Sequence, residues 1–357
     1  MKATVNLNKT RELLMLHYEM HPDMQPADFF KLLYQSAYGC EHMVSDTERA
    51  TEYINQELQH CYTENQPLTE PLDGEYSRVG LSYIKKGLSV QTLGRIFCLS
   101  AKKEPDAAGE LRIKLDALKS LAAEGRLPFT PEIFQEELNE WEANGFSAIH
   151  HSEAYRCEYK PCYRVVAERF VPFLPLFAEI DKRLEKGSVR LAVEGGSASG
   201  KTTLSALLCE VYGCTCLHTD DFFLRAEQRT PERYNEAGGN MDRERLEAEV
   251  LIPLSFGENI EYKRFDCAQM KLLPAEKIKP QRLTVVEGAY SMHPEISKYY
   301  DLSVFLDITP DLQRERILKR NSPAMAERFF EEWIPLENRY FAVTDAKNRC
   351  TLCIQVQ

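Results

Sequence analysis

The apolar patterning predicts an α/β fold for residues 184–357, a parallel sheet flanked by helices, and a mainly α-helical domain for residues 1–183. Three observations carry this. From residue 189 onward, short β-rich apolar runs alternate with helical stretches. The first of those runs leads directly into a glycine loop and then a helix. The first half instead shows successive amphipathic helical patterns. Regular alternation of strand and helix favours a parallel sheet with right-handed crossovers.

Taken in order, residues 26–34 have helical apolar spacing, with Pro26 in a first turn and Gly39 as a stop. Residues 100–123, 131–143 and 165–184 give further amphipathic helices. Asp73-Gly74 and Lys86-Gly87 mark turns around a short strand at 77–84, and Lys186-Gly187-Ser188 reads as a domain boundary. In the second half, strands are expected at 190–194, 214–219, 283–287, 302–307 and 352–356, with helices at 242–250 and 312–319.

Bulk properties bound the function. A length of 357 residues suits two domains, and 28% charged with 43% hydrophobic residues describes an ordinary globular chain. A net charge of −11 argues against a nucleic-acid partner, because phosphate backbones need a basic face. The first residues lack the apolar segment of a signal peptide, and no apolar run reaches membrane-spanning length. Eleven cysteines without such a signal point to reduced thiols and a cytoplasmic location.

The chemistry concentrates at Gly195-Gly196-Ser197-Ala198-Ser199-Gly200-Lys201-Thr202-Thr203. This is the P-loop pattern, so the expected sheet is of the P-loop NTPase type. Glycines let successive backbone N–H groups turn toward phosphate oxygens. Lys201 can reach the β- and γ-phosphates of ATP, the Thr202 hydroxyl can ligate Mg²⁺, and the next helix aims its positive end at the same phosphates. Ligands in such sheets sit at the carboxyl ends of the strands. Glu194-Gly195, His218-Thr219-Asp220 and Glu287-Gly288 all end strands there. An acceptor hydroxyl needs a carboxylate to orient it and take its proton, and Asp220 is preferred to Asp221 for that role. Glu287 is the candidate second Mg²⁺ residue, with Asp307 a rival read as a plain strand-end acid. Arg314, Arg316, Lys319 and Arg320 cluster on one helix, with Arg316 and Arg320 a turn apart, suited to charge on a transferring phosphoryl group.

Together these residues resemble the uridine kinase family of P-loop kinases, which includes phosphoribulokinase-like, pantothenate and nicotinamide riboside kinases. The resemblance spans residues 189–340. It implies that Asp220, in Asp220-Asp221-Phe222-Phe223, is the base. It implies that Asp242, in Asn240-Met241-Asp242, binds ribose hydroxyls, and that Tyr262 and Asp266 line a nucleoside site. Arg316 and Arg320 would belong to a lid helix, although the Arg-Gly-Arg that often extends that lid is lacking here. Residues 224–239, with Arg225, Arg229 and Arg233, map to no known nucleoside pocket. The expected activity is ATP- and Mg²⁺-dependent transfer to a small-molecule hydroxyl, nucleoside kinase-like. A kinase for a sugar, a vitamin precursor or another riboside is the alternative, as is a nucleotide-sensing regulator whose first half binds a partner.

The first half resembles no family. Cys40, His42, His151 and Cys157 have zinc-ligand chemistry, but their spacing matches no standard zinc module, so core packing is the main reading. Tyr155, Tyr159, Tyr163 and Arg164 are alternatively placed to line a ligand groove or to pack on the second domain. Cys350 and Cys353 read as buried thiols on a strand.

Overall fold

The computed structural model describes residues 6–40, 46–61, 66–73, 75–101 and 106–356. The chain divides into two compact units, Met1–Leu174 and Pro175–Gln357.

The first unit runs through α1 (Leu7–Met20), α2 (Pro26–Tyr38), α3 (Thr47–Leu58), β1 (Thr69–Leu72), β2 (Tyr76–Gly80), α4 (Val90–Ser100), α5 (Ala107–Ala123), α6 (Pro131–Ala143), α7 (Glu153–Tyr159) and β3 (Tyr163–Ala167). Helix α2 begins at Pro26, whose missing N–H costs nothing there, and the Asp28 carboxylate accepts from the Gln25 N–H. Gly39 ends it at φ 59°. The core is aromatic: Phe30 of α2 stacks on Trp141 of α6 with ring centroids 5.0 Å apart, and Phe29 is fully buried. The strands form an antiparallel sheet in the order β1-β2-β3, with Ser77 opposite Val166.

Three expectations change here. The strand expected over 77–84 stops at Gly80, and Leu81–Lys86 wind into a short 3-10 segment ended by Gly87 in the left-handed conformation. Residues 165–167 belong to β3, not to a helix over 165–184; the β-branched pair Val165-Val166 finds a ladder on β2, a short 3-10 segment covers Glu168–Phe173, and α-helix begins only at Leu174. Cys61 and Cys162 are joined in a disulfide, so the cysteines are not uniformly reduced thiols. Of the zinc candidates, His42 lies outside the described residues, as does Gly74 of the expected turn. Cys40 donates its thiol to the Phe97 carbonyl, His151 bonds Asp28 and Tyr163, and Cys157 is exposed. Among the described residues the cluster with metal-ligand spacing is His17, His21 and Glu70. There Arg78 Nη1, 3.1 Å from Glu70, already supplies the positive charge.

The second unit contains α8 (Leu174–Leu184) beyond its first residue, β4 (Val189–Gly195), α9 (Lys201–Tyr212), β5 (Thr215–His218), α10 (Pro231–Asn235) and α11 (Arg243–Leu246). A π turn leads from α11 into α12 (Ile252–Ser255), followed by the hairpin β6 (Ile260–Asp266) and β7 (Lys271–Ile278), then β8 (Leu283–Glu287) and β9 (Leu302–Asp307). Helices α13 (Pro310–Arg320), α14 (Pro323–Arg328), α15 (Ile334–Thr344) and α16 (Ala346–Arg349) precede β10 (Leu352–Gln355). The five-stranded sheet is wholly parallel, ordered β10-β9-β4-β8-β5. Its central strand β4 is buried on both faces, as a continuous apolar run requires. Helix α8 falls in this unit, ahead of the expected 183/184 boundary, because its side chains pack here. Tyr212 of α9 donates to Asp181 at 3.0 Å, and Arg183 donates to the Asp301 carbonyl. Cys353, expected to be buried, is exposed. Among the described residues no helix is long and apolar enough to cross a membrane.

Candidate active site

The sheet order puts the ends of β4, β8 and β5 side by side, with Val193 opposite Glu287 and Glu287 opposite His218. The glycine loop leaves β4 in backbone conformations that need its composition. Gly195 has φ 151°, and a Cβ there would meet the Leu306 carbonyl at 2.7 Å. Gly200 enters α9 at φ 97°. Ala198 takes φ 60°, a conformation that costs an L residue energy and is characteristic of functional loops. Lys201 folds back over the loop, donating to the carbonyls of Gly195 at 2.9 Å and Gly196 at 3.0 Å.

Thr202 and Glu287 lie side by side: the Thr202 hydroxyl donates to Glu287 Oε1 at 3.0 Å. His218 Nδ1 lies 2.6 Å from the same oxygen. Burial pushes the Glu287 carboxyl up, but the His218 hydrogen bond and the Lys201 charge outweigh it, so the group sits below the usual range. His218 is correspondingly raised, chiefly by that hydrogen bond. Gly288 follows at φ 142°, where a Cβ would lie 1.8 Å from Thr219 Oγ1.

The adjacent aspartates are distinguished by their partners. Tyr262 donates to Asp221 Oδ2 at 3.3 Å, and Arg245 donates to the Asp221 carbonyl at 2.7 Å. Asp220 reaches solvent and has no hydrogen-bond or ion-pair partner among the described residues. Its carboxyl is pushed up by desolvation in the cleft and by Glu287, with Lys201 acting the other way.

Other candidates are placed differently. Asp242 is buried and caps α11 through the Arg245 N–H at 3.2 Å, while Gln228 donates to its other oxygen at 3.0 Å. Tyr262 is buried and stacks on Phe222. Asp266 closes the β6–β7 turn, accepting from the N–H groups of Ala268 and Gln269. Arg316 donates to the Ala198 carbonyl at 3.2 Å, and Gln313 donates to that of Ser197 at 2.9 Å, so α13 lies against the loop. Arg320 does not share that contact; its guanidinium sits 5.8 Å from the Phe329 ring centroid. Asp307 pairs with Lys347 at 2.7 Å.

Two carboxylates support the loop, a role the sequence does not assign them; Glu194 is expected only as a strand-end candidate. Glu194, fully buried, accepts from the N–H groups of Gly195, Tyr290 and Met292 and from the Tyr340 hydroxyl. Burial raises it to about 7. Glu337 of α15 accepts from the Ser197 N–H at 2.8 Å and from its hydroxyl at 2.7 Å. For Glu194 the available signal was an acid directly before the first loop glycine.

Residues 191–328 match the model of the phosphoribulokinase / uridine kinase family, and no family model matches the first half. A uridine kinase of Chloroflexus aurantiacus is 29% identical over 140 residues, covering 37% of this chain and 66% of that protein. A phosphoribulokinase of Synechocystis sp. is 26% identical over 145 residues, covering 39% and 43% respectively. The chain thus spans less than two thirds of the length of either relative. Among solved structures, a possible uridine kinase from Bacillus stearothermophilus is 18% identical and covers 50% of this chain and 98% of its own, with a TM-score of 0.38. The loop, strand-end acids and arginine helix of the second unit therefore fall within a stretch, residues 191–328, that matches the phosphoribulokinase / uridine kinase family.

Proposed function

We propose that the second unit transfers the γ-phosphoryl group of ATP to a hydroxyl of a small molecule. The observation that carries this reading is the convergence at three neighbouring strand ends of a phosphate loop, a threonine–carboxylate pair and one unengaged carboxylate, Asp220. A nucleotide sensor needs the first two but has no use for the third.

Thr202 and Glu287 present hard oxygen donors 3.0 Å apart, a set that fits Mg²⁺. When bound, that ion neutralises phosphate charge. The loop N–H groups and the start of α9 hold the phosphates, and Lys201 exchanges its loop carbonyls for phosphate oxygens. Arg316, already beside the loop, adds positive charge where it develops during transfer. Asp220 orients the acceptor hydroxyl and takes its proton. His218 acts as a positioning residue by fixing one oxygen of Glu287.

A nucleoside acceptor is the first reading, from the relatives. One observation favours a different alcohol. Asp242 would have to release Gln228 before it could hold vicinal hydroxyls. The test is ADP release by the full chain across nucleosides, sugars and vitamin alcohols, with Asp220→Asn as control. The variant is expected to bind ATP and to lose transfer by at least about a hundredfold. Wild-type turnover in Asp220→Asn would sink the base assignment, and no acceptor-stimulated ADP release would sink the kinase reading.

A further inference from the structure

The first unit holds a cavity of about 750 Å³ that the kinase reading does not use. That volume is in the range of small-molecule sites. Its lining has an aromatic and apolar part, including Tyr53 of α3 and Phe97 of α4, and a polar part that includes Lys31, His151, Tyr163, Arg164 and the Glu57 carboxylate.

The polar part is ordered from behind. Asp28 accepts from the Ser152 N–H and hydroxyl, and its Oδ1 lies 2.8 Å from His151 Nδ1. The ionised carboxylate can only accept, so His151 carries its proton on Nδ1. Burial keeps the ring neutral, down to about 4, and Nε2 therefore accepts from the Tyr163 hydroxyl at 2.7 Å. Arg78 lies 4.7 Å from the Tyr163 ring centroid and is neutralised by Glu70, while Arg164 pairs with Glu57 at 2.6 Å.

Lys31 is the exception. Its ammonium donates to the Ile149 carbonyl at 2.9 Å, and no carboxylate among the described residues lies within ion-pair distance of it. Burial lowers it to about 8, the Arg78 charge adds to the effect, and the Asp28 charge opposes it. An ammonium has three donors, so a half-buried one on a cavity wall with one acceptor leaves charge and hydrogen bonds to be satisfied. Tyr53, 53% exposed, offers its ring to the body of a ligand, and the largely buried Phe97 also lines the cavity.

We propose that this cavity is a second ligand site, taking a small molecule whose oxyanion, phosphate or carboxylate, is held by Lys31 and whose body packs on Tyr53 and Phe97. The probe is pyridoxal 5′-phosphate, which joins an oxyanion to an aldehyde. On the full chain the Lys31 amine and the aldehyde form an imine with loss of water. Borohydride then delivers hydride to the C=N bond, fixing the label for peptide mass spectrometry. Near neutral pH, Lys31 is expected to label about tenfold faster than the exposed Lys182 and Lys277. Labelling is expected to be suppressed by inorganic phosphate, by malonate or by both, which tells a phosphate ligand from a carboxylate one. The same suppression in Lys201→Met separates this cavity from the phosphate loop. Labelling of Lys31 no faster than of the exposed lysines, or indifference to both anions, overturns the proposal.

Discussion

Gly288 offers a sharp test of how the site is built, because it directly follows Glu287 and has no room for a methyl group. In Gly288→Ala the new residue must adopt φ 142°, and its Cβ would lie 1.8 Å from Thr219 Oγ1 and 2.9 Å from Thr219 Cβ. The backbone conformation costs about 1–3 kcal/mol, and forcing an atom into a packed position about 1–3 kcal/mol more. The expected loss is therefore about 2–6 kcal/mol. The chain's two tryptophans fall one in each unit, so Trp333 fluorescence in a Trp141→Phe background reports urea unfolding of the second unit. Adding Thr219→Ala removes the closest contact but keeps the Cβ at 2.9 Å, at the cost of the hydrogen bond from Thr219 to the Ala289 carbonyl, and should recover part of the packing share but none of the backbone share. A Gly288→Ala chain within about 0.5 kcal/mol of its parent would refute the reasoning, as would two substitutions whose costs simply add.

The remaining expectations concern charge and covalent links. His218→Ala removes the hydrogen bond that helps hold Glu287 ionised, so the acid limb of kcat/KM should move to higher pH and the Mg²⁺ requirement should rise; an unchanged pH profile tells against a positioning role. In the first unit, burial pushes His17 and His151 each down to about 4. Their folded pKa lies below the unfolded value of about 6.5, so the unfolded chain takes up protons first as pH falls. Stability reported by Trp141 should therefore drop between about pH 6.5 and pH 4, and a flat profile there would count against neutral burial. The Cys61–Cys162 disulfide closes a sequence separation of 101 residues, for which chain entropy gives about 4–5 kcal/mol. Dithiothreitol should lower the Trp141 transition and leave that of Trp333 unmoved.

Much of the second unit was legible because parallel strands buried on both faces read as unbroken apolar runs; β8 and β9 were bounded to the residue. Strand β7 was not, since Lys271–Ile278 lies in a largely exposed hairpin whose charged residues hide any alternation. Strand β3 was missed because Val165-Val166-Ala167 also fits the helical spacing of the residues after it, and only the partner strand decides. The phosphate loop and the Thr202–Glu287 pair follow from local pattern. What supports them does not: Glu337 and Ser197 are 140 residues apart, and nothing local marks Glu337 as a loop ligand. Asp266 and Arg320 illustrate the converse. Their residue types fit a site, while the structure spends them on a turn and an aromatic contact.

Helix α15 gives the order of synthesis a consequence for the site. Its Glu337 holds Ser197 within the glycine loop, and its Tyr340 holds Glu194 just before that loop, across 146 residues. A nascent chain can therefore complete β4, β5 and β8 and still lack a finished loop until Tyr340 has left the ribosome. Premature termination before Glu337 would leave the whole recognisable motif in place with neither tether. Such a fragment would look competent by its sequence and be unfinished as a site.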